Sequence, residues 1–234
     1  MRRIVRILGT LSVVAGVLLL AWALVVWRWQ DPFTALYTRY EQHKLGHQYA
    51  ARVAHFHPPA LANVSVASER AAIAREARAY RLASRRGQVI GHIRIPHIGA
   101  KYWLVNGTDH DSLMKGPGRD LRTYMPGEGE LIYIAGHRTT YLAPFSHIDD
   151  IVPGDRIWIE LPYATFVYRM QYHVIVPADD LAVLKSHGRE QLVLQACHPR
   201  FFATHRYLVY ARLVQVQPRG APAFSPIERL AAAP

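Results

Sequence analysis

The pattern of apolar and polar positions divides the chain into stretches of different texture. From Ile7 to Trp27 there is no charge, and the residues are mostly Leu, Val, Ala, Ile and Trp. At about 1.5 Å per residue, a helix of that length spans roughly the 30 Å hydrocarbon core of a bilayer. Arg2, Arg3 and Arg6 precede the run, and Trp27 and Trp29 stand at its far end as interfacial aromatics. This predicts a single-pass anchor over 7–27, with residues 1–6 in the cytoplasm and everything after Arg28 outside. The rival is a cleaved signal peptide, because Ala21-Trp22-Ala23 resembles a cleavage site, but the apolar run continues past it. Both readings export the remaining chain.

Residues 28–86 have helical texture. Asp31-Pro32 is suited to a helix start, with Asp as N-cap and Pro in the first turn. Leu36, Tyr40 and Leu45 give a partial apolar stripe, which His57-Pro58-Pro59 breaks. A second helix, Ser68 to Ala83, carries Glu69 and Glu76 early and arginines late, with a charged face expected to be solvated. The segment is expected to be a peripheral helical stalk. His43, His47, His55 and His57 crowd there without a carboxylate or thiol at ligand spacing, so they read as surface histidines and no metal site is expected.

From Gly87 the texture changes to short β-type runs punctuated by Gly and Pro. Strands are predicted over 89–95, 101–105, 130–135, 156–161, 164–176, 191–197 and 207–216, with a short helix at 109–115, a loop over 116–129 and a helical turn at 145–150. Pro162-Tyr163 makes a hairpin turn, and Phe166, Tyr168, Met170 and Tyr172 alternate onto one face of the strand that follows. About eight strands with few helices predict a mainly β domain over 87–216, a closed eight-stranded β-barrel. The tail, 217–234, is rich in Pro, Gly and Ala and expected to be disordered.

Composition narrows the partners. The chain has 234 residues, 50% of them hydrophobic, and a formal net charge of +11. That charge suits a membrane surface or another polyanion. No basic run, helix-turn-helix, zinc-finger spacing or RNP-like motif directs it to nucleic acid, so no nucleic-acid partner is expected. The chain has one cysteine, Cys197, which excludes an intrachain disulfide and a CxxC module.

Cys197 ends the apolar run Leu192-Val193-Leu194, and Arg206 opens the next strand after a short loop. His137 follows another strand end, at Ile134-Ala135-Gly136. A thiol nucleophile needs a proton acceptor and donor nearby and a group to hold the charge that develops on the attacked carbonyl. Cys197, His137 and Arg206 are the residue types for those tasks. His198 and His205 neighbour the thiol and the arginine but fall on the opposite strand face.

These motifs resemble the sortase family, membrane-anchored cysteine transpeptidases of Gram-positive bacteria. The family's TLxTC motif corresponds to Val193-Leu194-Gln195-Ala196-Cys197, followed by Arg206. The runs AGHRTTY-x-APF from Ala135, HIDDI-x-x-GD from His147 and CHPRF from Cys197 look most like class E. The resemblance implies that Cys197 attacks the threonine carbonyl of an LAxTG- or LPxTG-like sorting signal at the C-terminus of secreted proteins. It implies that His137 protonates the leaving amine and that Arg206 holds the substrate backbone and oxyanion. The thioester would be resolved by an amine of a peptidoglycan precursor, with no cofactor. Tyr141 stands where class E carries a tyrosine associated with alanine at the second signal position. Val193 and Ala196 replace the family's usual threonines, so Ala196 is expected to alter positioning of the substrate carbonyl, and Arg138 is expected along the substrate groove. The competing expectations are a pilin-polymerising sortase, whose lid motif is echoed by Asp31-Pro32-Phe33 but at the membrane and far from a lid position, another cysteine peptidase or an L,D-transpeptidase, whose His-Gly-Cys signature is missing, and a non-catalytic wall-binding barrel with an inert Cys197.

Overall fold

Most predicted strands carry apolar residues along at least one face, and closing such a sheet on itself buries that face without leaving an edge. The computed structural model describes residues 2–29, 32–56 and 66–226. Its strands are β1 (Val89–Ile95), β2 (Ala100–Asn106), β3 (Gly118–Arg119), β4 (Leu131–Ala135), β5 (Arg156–Glu160), β6 (Ala164–Pro177), β7 (Gln191–His198) and β8 (His205–Pro218). They close into a barrel in the order β1-β2-β3-β4-β7-β8-β6-β5. The short β3 lies inside the expected loop over 116–129. A two-residue strand carries no periodicity to read.

Ile93, Ile95, Ile132, Ile134, Ile157, Phe166, Tyr168, Leu192, Leu194 and Val209 fill the interior and are fully buried. A second apolar cluster, Leu131, Tyr133, Ala135, Val193 and Leu208, lies on the other face of β4, β7 and β8. Val174, Val176, Val183 and Leu184, from the end of β6 and the β6–β7 connection, pack against it. Apolar burial on both faces is why β4 and β7, a parallel pair, read as continuous apolar runs instead of alternating ones.

Among the described residues, four α-helices accompany the barrel: α1 (Arg2–Trp29), α2 (Pro32–Ala54), α3 (Val66–Ala83) and the single-turn α4 (His110–Leu113). Within α1, Arg2–Val25 is long and apolar enough to cross a membrane. The helices between α1 and the barrel pack against the barrel. On α2, Thr38 and Leu45 are buried, and Gln42 donates to the carbonyls of Trp103 (3.1 Å) and Lys115 (2.8 Å) while accepting from the Trp103 N–H (2.7 Å). Ile73, Ala77 and Tyr80 of α3 join the barrel's main core, and the Tyr80 hydroxyl donates to the Ile90 carbonyl (2.8 Å). The charged residues of α3 masked a narrow stripe of Ile, Ala and Tyr that is enough to dock it.

Two further expectations need correction. Phe166, Tyr168 and Met170 face inward, but a register shift between Met170 and Tyr172 turns Tyr172 outward, 44% exposed, where it stacks on Tyr210. Residues 217–226 are not a free tail, since β8 runs to Pro218 and Phe224 exchanges backbone hydrogen bonds with Val216. The proposed Asp31 cap, the His57-Pro58-Pro59 break and residues 227–234 lie outside the described residues.

Candidate active site

The site assembles where three strand ends meet on the outer face of the barrel. Cys197 of β7 and Arg206 of β8 are direct antiparallel partners, so their side chains emerge on the same face. β4 runs parallel to β7 with Ala135 opposite Gln195, and the Gly136 N–H extends the ladder to the Gln195 carbonyl (3.0 Å). Tyr133, Ala135 and His137 therefore alternate onto the face that carries Gln195 and Cys197. Gly136 is required there, because a Cβ would come within 2.6 Å of the buried Phe145 ring. His137, Cys197 and Arg206 all border one cavity of about 250 Å³. Its apolar wall is Leu113, Val176, Leu181, Val183 and Leu184, and its polar wall includes Thr108, Asp120 and Arg122.

Each side chain is held differently. The His137 Nε2 is buried and has no hydrogen-bond partner among the described residues. Burial holds its pKa below the ordinary histidine value, and the nearby His110 adds to the effect. Burial thus favours the neutral ring near neutral pH. Cys197 is half-buried and unpaired. The Arg206 guanidinium donates through Nη1 to the carbonyls of Ala203 (2.8 Å) and His205 (3.0 Å), which fixes its aim while leaving other donors for a ligand.

The remaining expected site residues fall elsewhere. Ala196 is fully buried and faces the barrel core with Leu192 and Leu194, so its side chain cannot touch a ligand in the cavity. The residue next to a nucleophile on a strand necessarily points to the other face. Arg138 is 4% exposed and does not line the cavity. It donates to the Cys197 carbonyl (3.2 Å), approaches His198 Nδ1 (3.0 Å) and pairs with Asp149 (2.6 Å), bracing the Cys197 backbone from behind. Arg200 bonds the Ser146 carbonyl, which ties the β7–β8 loop to the loop after His137. Tyr141 also stays off the cavity wall. Its ring lies 5.0 Å from that of His137, tilted 37°, and covers the imidazole. It begins three consecutive residues with left-handed backbone, Tyr141, Leu142 and Ala143. A strained run beside a reactive centre persists only where surrounding contacts fix it. His198 and His205 do not line the cavity.

Sequence reasoning missed Asp120 and Arg122. Arg122 grips the Asp120 carboxylate through Nε (2.9 Å) and Nη2 (2.7 Å), and Thr108 donates to it as well (3.2 Å). Burial pushes the Asp120 pKa up, but the hydrogen bonds and charge of Arg122 outweigh it and the net shift is downward. An Asp-Leu-Arg tripeptide in a loop carries no signal that could have marked it. Among the described residues, no three His, Cys, Asp or Glu side chains are placed to hold a metal ion.

Comparison with known proteins agrees with this geometry. Residues 93–214 match the sequence profile of the sortase domain. Sortase D of Bacillus subtilis is 35% identical over 132 residues, which are 55% of this chain and 65% of that protein. SrtE1 of Streptomyces coelicolor is 32% identical over 110 residues, 42% of this chain and 31% of that protein. The match thus spans less than two thirds of either relative. Among solved structures, a Clostridium perfringens sortase D5 transpeptidase aligns with a TM-score of 0.59 at 25% identity, covering 74% of this chain and 98% of that one. Sortase E1 from S. coelicolor, solved with a tripeptide in its active site, aligns with a TM-score of 0.54 at 26% identity, covering 60% of this chain and 98% of that one. The profile match, the barrel and the meeting of three strand ends at one cavity make this chain a member of the sortase family.

Proposed function

We propose that the protein is a class E-like sortase, a cysteine transpeptidase that cleaves an LAxTG- or LPxTG-like signal after threonine and joins the protein to a peptidoglycan amine. The observation that carries this is the pairing of Cys197 with Arg206 across β7 and β8, beside an imidazole whose Nε2 has no partner among the described residues. Cys197 Sγ gives its proton to His137 and forms a bond to the threonine carbonyl carbon. Arg206 donates to the oxygen as negative charge builds there. The C–N bond to glycine then breaks as His137 returns the proton to the leaving nitrogen. A base with a lowered pKa is a strong acid once protonated, which suits this second task. An incoming amine attacks the thioester, loses its proton to His137 and expels the sulfur.

Membership of the family and the sortase-like architecture support the reading, and the resemblance of the His137 loop favours class E. α1 serves as a single-pass anchor with its N-terminus cytoplasmic and the barrel on the outer side. This follows from its length and the arginines that precede the apolar run. Arg138 and Asp149 act as positioning residues and Tyr141 as the cover of the imidazole. The test is cleavage by the full chain of a peptide panel varied at the second signal position, with glycine-like and diaminopimelate-like acceptors. Cys197→Ala is expected to abolish turnover, and Arg206→Ala to lower it about 10²–10³-fold, as for loss of an oxyanion donor. Wild-type turnover by Cys197→Ala eliminates the reading. Preference for a lysine side chain as acceptor replaces wall attachment with pilin polymerisation.

A further inference from the structure

We infer that the first two turns of α2 lie in the outer interfacial layer of the bilayer that α1 crosses, so that a lipid surface covers this face of the helix. The inference rests on α1 being a membrane anchor. Phe33, Leu36 and Tyr40 are 73%, 69% and 66% exposed, although they begin a helix that otherwise packs on the barrel. At 3.6 residues per turn they form a stripe about 60° wide. Thr38, Glu41 and Leu45, the buried residues of α2, centre on the opposite side. The apolar stripe is thus not an unfinished part of the core. It ends after two turns, where His43, Lys44 and His47 take over the same side. Arg39 and Lys44 flank it, as cations flank the apolar face of interfacial helices.

A separate contact fixes its depth. The Phe33 ring lies 5.6 Å from that of Trp22. Trp22 lies seven residues before Trp29, the last residue of α1, which is about 10 Å along the helix axis. The first turn of α2 therefore lies beside the last two turns of the apolar helix, at the depth of the outer headgroup–acyl boundary. A water-exposed Phe, Leu and Tyr at that depth meet lipid. The same turn touches the active site, since the Thr34 hydroxyl accepts from the Tyr141 N–H (3.2 Å) and Tyr141 covers His137. A seat in the interface would hold the catalytic loop near the membrane surface, where a substrate or acceptor still tethered to lipid is presented.

The full chain carrying Cys197→Ser is reconstituted into phosphatidylcholine–phosphatidylglycerol vesicles and labelled with bimane at Leu36→Cys, Val17→Cys or Arg212→Cys. Quenching is compared among a lipid with a nitroxide near the headgroup, a lipid with a nitroxide deep in the acyl chain, which reads Val17→Cys, and a water-soluble nitroxide. Leu36→Cys is expected to be quenched by the labelled lipid at least three times more than the barrel position Arg212→Cys. Quenching at Leu36→Cys equal to that at Arg212→Cys, with Val17→Cys still quenched by lipid, overturns the interfacial seat and leaves the anchor standing. Loss of lipid quenching at Val17→Cys overturns the anchor and the seat together.

Discussion

His137 combines a polar atom without a partner among the described residues, a pKa depressed chiefly by burial, and an aromatic cover supplied by Tyr141. An unsatisfied buried nitrogen costs about 1–3 kcal/mol, a cost relieved when a thiol or substrate group reaches it. Burial disfavours the imidazolium, so the protonation that disables His137 as a base occurs below the ordinary histidine value. Removing the cover admits water and reverses the shift. Tyr141→Ala is therefore expected to raise the His137 pKa toward 6.5, the unperturbed value, moving the acid limb of kcat/KM to higher pH. The pH profile, read beside an NMR titration of the His137 ring, checks this. An unchanged or lower pKa would show that Tyr141 does not provide the burial. The same scale shows how a neighbour in sequence misleads. Ala196 precedes the nucleophile yet packs in the barrel core, whereas Arg138, expected along the groove, supports the Cys197 carbonyl from behind.

At the scale of elements, α2 is tied to the barrel by side-chain hydrogen bonds. Gln42 satisfies both backbone groups of Trp103 as well as the Lys115 carbonyl, which lies at the start of the segment leading to β3. Gln42→Ala leaves three half-buried backbone groups without that partner and is expected to cost about 1–3 kcal/mol of unfolding free energy. Denaturant titration of the full chain measures it, and a change below about 0.3 kcal/mol would return α2 to the role of a spacer. The strands were legible because period-two alternation and Gly or Pro punctuation are local properties. β1 was read as 89–95, the span it has, and the longer strands were found to within two residues at each end. Docking of α2 and α3 was not legible, because small buried residues such as Thr38 and Ala77 do not stand out against a charged helix. The register shift in β6 was also hidden, since it depends on the partner strand β8. Of the candidate site, the positions of His137, Cys197 and Arg206 near strand ends could be read. Asp120 and Arg122 could not, because only the closed barrel brings that loop to the same cavity.

For the molecule as a whole, the barrel sets which residues meet. Parallel pairing of β4 with β7 and antiparallel pairing of β7 with β8 bring residues 137, 197 and 206 to one cavity from well-separated positions in the chain. The apolar cluster beneath the β6–β7 connection backs that cavity, while the main core lies on the other side of the sheet. The candidate site is thus carried on a rigid wall and bounded by loops, an arrangement suited to holding an extended peptide against the Cys197 thiol. The central claim is that this thiol forms a covalent thioester. The full chain is mixed with an LAxTG peptide without acceptor amine, quenched in acid and measured by intact mass. The account predicts a hydroxylamine-labile adduct on Cys197 with the mass of the peptide through its threonine, absent from Cys197→Ala. Peptide cleavage that proceeds without this adduct and survives in Cys197→Ala would contradict it.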